Sequence, residues 1–111
     1  AQLQQSLTLA RQQNDTQGIA NSLGNLGSAY TEQGNYPAAL QHYNQALELM
    51  RSLQNPVGEA GVLQRLGAVY ASLGNRPEAT KYYAQSLAIA RQIGDRRLEA
   101  YNLGNLGRAY F

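Results

Sequence analysis

The chain has 111 residues, 43% hydrophobic and only 14% charged, with a formal net charge of +2; that suits one folded domain and provides no strong basic field for tracking a nucleic-acid backbone. There are no cysteines and a single histidine, which excludes disulfide frameworks, thiolate metal sites and multi-histidine metal sites. Lys81 is the only lysine, the arginines are dispersed, and no apolar run approaches the ~18 residues a membrane span needs.

In chain order, residues 1–13 form the first predicted helix, with Leu3, Leu7 and Ala10 among its apolar residues. Its polar, helical pattern is unlike a signal peptide. Asn14-Asp15-Thr16 fits a glycosylation pattern but reads better as a helix cap from Asn14 or Asp15. The second helix, 17–33, carries Ala20, Leu23, Leu26, Gly27 and Tyr30 at three-to-four spacing, so one stripe faces a core. Gly34 stops it in the left-handed conformation, and Asn35 caps the next helix with Pro37 in its first turn. That third helix, 37–53, carries Ala39, Leu40, Tyr43, Ala46, Leu47 and Met50. Asn55-Pro56 ends it and opens a helix over 57–73. Gly74-Asn75-Arg76-Pro77 then leads into 77–93, and Asp95 opens 97–111.

These six helices repeat at a spacing of 40. Leu23-Gly24-Asn25-Leu26-Gly27-Ser28-Ala29-Tyr30 returns as Leu63-Gln64-Arg65-Leu66-Gly67-Ala68-Val69-Tyr70 and as Leu103-Gly104-Asn105-Leu106-Gly107-Arg108-Ala109-Tyr110. Leu7-Thr8-Leu9-Ala10-Arg11 matches Leu47 to Arg51 and Leu87 to Arg91, with no insertion or deletion. Each unit is therefore a hairpin of a helix A and a helix B. The chain opens in a B helix (1–13), runs through two hairpins (17–53 and 57–93) and closes in an A helix (97–111). Glycine costs about 1 kcal/mol inside a helix, so Gly27, Gly67 and Gly107 need a reason. The reading is close approach of A to B, opposite the small Ala39 and Ala79. Gly24 and Gly104 lie on another face and are read as open to a partner.

Leu23, Leu26-Gly27, Tyr30, Ala39, Tyr43 and Ala46, and again Leu63, Leu66-Gly67, Tyr70, Ala79, Tyr83 and Ser86, resemble the tetratricopeptide repeat. Two departures are a leucine where that repeat has its usual tryptophan and a period of 40 instead of 34, the extra residues falling around Gln54 to Glu59. The longer variety is similar to the arrays of kinesin light chains, of the G-protein modulators that orient spindles, and of large bacterial signalling ATPases. The resemblance implies an all-α fold: a right-handed α-solenoid of antiparallel helix hairpins, a single array over 1–111 with about six helices. It also implies that the stripe beside the core stripe on the A helices lines a concave peptide groove.

The groove residues expected on that basis are Asn21, Asn25, Ser28, Gln64, Arg65, Tyr101, Asn105 and Arg108. Asparagine amides both donate and accept and so can hold an extended peptide backbone. Arg65 and Arg108 suit a carboxylate or acidic side chain. The competing reading is a merely solvated face, with Asn25 and Asn105 serving a structural role inside the repeated Gly-Asn-Leu-Gly.

No acid–base or nucleophile pair is spaced for catalysis, and no cofactor is implied. His42 has no acid at a working spacing. Gly-x-x-Gly here follows no strand and precedes no Gly-Lys-Ser/Thr, so it is not a phosphate loop. Tyr43 and Tyr83 are assigned to the core. The expected function is a cytoplasmic protein–protein interaction module that takes a peptide or protein segment, with no nucleic-acid or membrane partner. The alternative is a structural repeat that spaces other domains or joins head to tail through its terminal helices.

Overall fold

The computed structural model describes the backbone of residues 15–110 and the side chains of residues 15–107; the helix expected over 1–13 lies outside the described residues. Among the described residues every element is a helix: α1 Thr16–Glu32, α2 Tyr36–Ser52, α3 Pro56–Ser72, α4 Arg76–Ile93 and α5 Arg96–Tyr110. Each starts one residue before its expected position. The reason is that helical geometry begins directly after the capping residue. Asp15 Oδ1 accepts from Gly18 N at 2.9 Å, and Asp95 Oδ1 from Leu98 N at 3.0 Å. Asn35 and Asn75 cap α2 and α4, which places Pro37 and Pro77 in the first turn, where a missing N–H leaves no bond unmade.

The helix ends follow one rule. Gly34 and Gly74 close α1 and α3 with φ near +76°, and Gly94 closes α4 at +73°. The next residue's N–H reaches back to the last turn, from Asn35 to Tyr30 O, Asn75 to Tyr70 O and Asp95 to Ala90 O, each at 2.9 Å. At the end of α2 the same position is Gln54, held at φ +53°, while Asn55 N donates to Met50 O at 2.9 Å. A side chain there occupies a conformation that suits glycine.

The chain divides into two compact units, Ala1–Asn55 and Pro56–Phe111. In the first, α1 packs on α2. The pairing is antiparallel, since Tyr30 meets His42, Gly27 meets Tyr43 and Gln17 meets Met50. Its core is Ala20, Leu23 and Leu26 against Ala39, Tyr43, Ala46, Leu47 and Met50. In the second unit α3 packs on α4, and α4 on α5. Ala60, Leu63, Leu66 and Val69 are buried there with Ala79, Tyr83, Leu87 and Ala90. Burying each large side chain in these stripes contributes about 1.5–3 kcal/mol.

The glycines of the core stripe do mark the close approach of A to B, but the neighbour is an aromatic ring. A Cβ on Gly27 would sit 2.6 Å from Tyr43 Cδ1, and one on Gly67 would sit 2.9 Å from Tyr83 Cδ1. Ala39 and Ala79 are not the residues that fill this space. Gly107, at the same position of α5, has nothing within 4 Å.

Candidate functional site

The stripe beside the core begins on α1 with Asn21 and Asn25, both exposed and one helical turn apart. Asn21 Oδ1 accepts from Gln17 Nε2 at 3.0 Å, and Gln17 Oε1 accepts from Asn55 Nδ2 at 3.1 Å. Asn55 Nδ2 also points at Met50 Sδ, 3.6 Å away. Asn21 is thus oriented by a short amide chain that ends on the turn after α2. Ser28 behaves differently. It is half-buried and shares a hydrogen bond of 2.9 Å with the Tyr43 hydroxyl, so its polar group is committed to the hairpin interior. Thr31 likewise turns its hydroxyl back onto Gly27 O at 2.8 Å. Gly24 is buried and Gly104 exposed, yet a Cβ at either would meet nothing within 4 Å.

In the second unit, α3 contributes an exposed Arg65 and a half-buried Gln64. Tyr101 and Asn105 follow on α5. Tyr101 is 48% exposed, and Asn105 donates from Nδ2 to Tyr101 O at 3.0 Å within its own helix. The Arg108 side chain lies outside the described residues. Positions 25, 65 and 105 share one place in the repeat and are polar each time, while Leu26 and Leu66 beside them are buried.

Aromatic pairs mark the turn end of both hairpins. Tyr30 lies against His42 with centroids 5.0 Å apart, and His42 Nδ1–H donates to Ala38 O at 2.7 Å. The histidine is held by its own helix and presents no acid–base pair. Tyr70 stacks on Tyr82 at 5.5 Å, with Lys81 Nζ 5.5 Å from the Tyr82 ring. Burial, then the neighbouring Tyr82 and Glu78, raise the Tyr70 phenol above its ordinary value, and Lys81 opposes them. Among the described residues no cluster of histidine, aspartate and glutamate is placed to hold a metal ion, and no helix is long and apolar enough to cross a membrane.

A hairpin of two helices, a glycine under a tyrosine ring, and the same arrangement 40 residues later are the features of a repeat. The sequence model described as Tetratricopeptide repeat matches residues 1–52 and 59–111. The chain belongs to the tetratricopeptide repeat family.

Tetratricopeptide repeats are in general non-catalytic modules for protein–protein interaction or scaffolding. The chain is similar in fold to the crystal structure of BtubC (BKLC) from P. vanneervenii. The TM-score is 0.86 at 21% identity, over 97% of this chain and 46% of that one. The chain thus spans just under half of that protein's length. No curated protein matches it.

Two features of this tetratricopeptide chain escape a reading of its polar stripe. One is the amide chain from Asn21 through Gln17 to Asn55, which joins residues too far apart in sequence for spacing to pair them. The other is a buried polar contact between Ser86 and Asn102. Its sequence signal is slight: the serine stands where Ala46 occupies the preceding B helix, and the asparagine where Val62 occupies the preceding A helix.

Proposed function

We propose that this chain is a peptide-binding tetratricopeptide array. In this reading an extended segment of a partner protein lies on the polar stripe of the A helices. The supporting observation is the recurrence of an exposed or half-buried polar side chain at 25, 65 and 105, the first two beside the buried Leu26 and Leu66. Selection for solubility alone does not require the bulky, directional groups found there. Asn21, Asn25 and Asn105 suit a peptide backbone through paired donors and acceptors. Arg65 and Arg108 suit an acidic side chain or a terminal carboxylate. Gln64 and Tyr101 flank them, whereas the Ser28 hydroxyl is taken up by Tyr43. The test is chemical-shift mapping on labelled protein with a library of acidic peptides. Shifts gathered at Asn21, Asn25, Arg65, Asn105 and Arg108 are the expected result; shifts gathered around His42 instead would overturn it.

A second reading, self-association, is favoured by one observation. Leu103 is 45% exposed, whereas Leu23 and Leu63 at its repeat position are 3% and 0% exposed. The core stripe of α5 therefore presents Leu103, Leu106 and Gly107 to a surface of B-helix type. Residues 1–13 of a second copy carry that pattern, with Leu3 at the position of Tyr43 and Tyr83. A heterologous contact of this kind continues head to tail unless it closes as a ring. Sedimentation over a wide concentration range decides this reading. Mass that grows with concentration, and stops growing in Leu103→Glu, supports it; a constant monomer mass excludes it.

A further inference from the structure

We propose that Asn102 directs α5 to the face of α4 and bars it from the matching face of α2. Near-identical repeats carry a hazard. A helix that packs on one unit offers much the same apolar surface to the next, and misassembly between units is a characteristic failure of repeat proteins. Here the B helices α2 and α4 repeat their packing residues closely. Ala39 corresponds to Ala79, Tyr43 to Tyr83 and Leu47 to Leu87, and all six are buried. Apolar packing alone gives α5 little basis for choosing between them.

The polar residues give that basis. Ser86 and Asn102 are both 0% exposed. Ser86 Oγ–H donates to Ala60 O at 2.8 Å, and Asn102 Nδ2 donates to Ser86 Oγ at 2.9 Å. One hydroxyl thus ties α3, α4 and α5 together, giving its proton to α3 and accepting from α5. Among the described residues Asn102 Oδ1 has no partner, so the bond to Ser86 is the one that compensates for burying the carboxamide. On α2 the position of Ser86 is Ala46, a buried methyl group. If α5 settled there, the whole Asn102 amide would be desolvated without a single bond. The A-helix residue at the position of Asn102 in the preceding repeat is Val62, which needs no partner. The same positions in the preceding register are Ser6 and Ser22, again a polar pair. Residues 16 apart are thus matched in polarity at every junction of the sequence.

The discrimination is one-sided. Alanine on the B helix excludes asparagine on the A helix, whereas serine tolerates valine because it keeps its bond to Ala60 O. The melting series follows from this. Ser86→Ala lowers the midpoint of the full chain by roughly 5–15 °C. Adding Asn102→Val to it restores the midpoint to the parent value or above, and Asn102→Val alone shifts it little. If Ser86→Ala does not fold, folding of the double variant serves as the same rescue. A double variant that melts below Ser86→Ala, or that also fails to fold, overturns the proposal; so does a Ser86→Ala midpoint equal to the parent's.

Selectivity has its own readout, because the chain has no native cysteine. Arg91 Nε and Glu99 Oε2 are 2.9 Å apart, so Arg91→Cys/Glu99→Cys with a short bismaleimide reports α5 on α4. Arg51 holds the position of Arg91 on α2, so Arg51→Cys/Glu99→Cys reports α5 on α2. After rapid refolding at low protein concentration, Asn102→Val is expected to raise the intramolecular 51–99 product several-fold over the asparagine background. Equal yields of that product in the two backgrounds would refute the selective role.

Discussion

At the scale of single residues, the mid-helix glycines divide into two kinds, and the division can be measured. Gly67 lies under the Tyr83 ring, where an added Cβ meets carbon at 2.9 Å; Gly27 is tighter still at 2.6 Å. Alanine gains about 1 kcal/mol of helix propensity at either place, but overpacking against a buried ring costs about 1–3 kcal/mol. Gly27→Ala is therefore expected to destabilise, and Gly67→Ala to destabilise less. Gly61, inside α3 with nothing within 4 Å, has only the propensity gain, so Gly61→Ala raises the melting temperature. Thermal melts of the three variants check the order, and a stabilised Gly27→Ala would be incompatible with the ring contact. The need for a small residue at 27 and 67 was legible in the sequence. The tyrosine opposite was not identified as the neighbour, because helical spacing shows which face a residue occupies but not which partner side chain reaches across. Gln54 offers a second test. It holds φ +53° where the next repeat has Gly94 at +73°. A left-handed non-glycine residue costs about 1–2 kcal/mol, and glycine returns about half of that as backbone entropy. Gln54→Gly should gain up to ~1 kcal/mol, read from urea midpoints.

At the scale of whole elements, the caps explain why the helix order was readable and why the boundaries moved by one residue. Asp or Asn before each helix was visible in the sequence, and so was the glycine after α1 and α3. What spacing could not show was that the helix starts immediately after the cap. The caps also differ in quality. Asp95 accepts from Leu98 N at 3.0 Å, whereas Asn35 accepts from Ala38 N at 3.4 Å. A cap is worth about 0.5–2 kcal/mol. Asp95→Ala is expected near the upper end of that range and Asn35→Ala near the lower end. Chemical denaturation of the two variants orders them, and equal losses would contradict the geometry. The buried Ser86–Asn102 contact belongs to this scale as well. It was not legible because a polar residue on a core stripe reads as a flaw in the pattern until the opposing hydroxyl is located.

For the whole molecule, the repeat itself was legible because period and register hold across the sequence without a break, and the positions of 27 and 67, 39 and 79, and 43 and 83 meet the same physical demand in both hairpins. The candidate site was legible only as a stripe. Asn21 and Asn25 are exposed as expected, while Ser28 turns inward to Tyr43, since helical phase fixes a residue's direction and not whether a neighbour takes up its polar group. The low charged fraction of 14% makes the cations at Arg65 and Arg108 informative. In a densely charged surface, reversing two of nine positive side chains disturbs little that is specific; here it would change the sign of the proposed stripe. A groove that holds an acidic segment should lose at least about tenfold in affinity in Arg65→Glu/Arg108→Glu, because like charges then face each other. A spacer that only joins other domains should not change. Salt separates a direct charge effect from a disturbed fold. With a Debye length of about 10 Å at 0.1 M and ~3 Å at 1 M, added salt should weaken the parent's binding and leave the reversed variant's unchanged or stronger. Titration calorimetry at two salt concentrations, with circular dichroism to confirm equal helicity, measures both. Loss of binding with the same salt slope in parent and variant would mean that the two arginines do not face the ligand's charge.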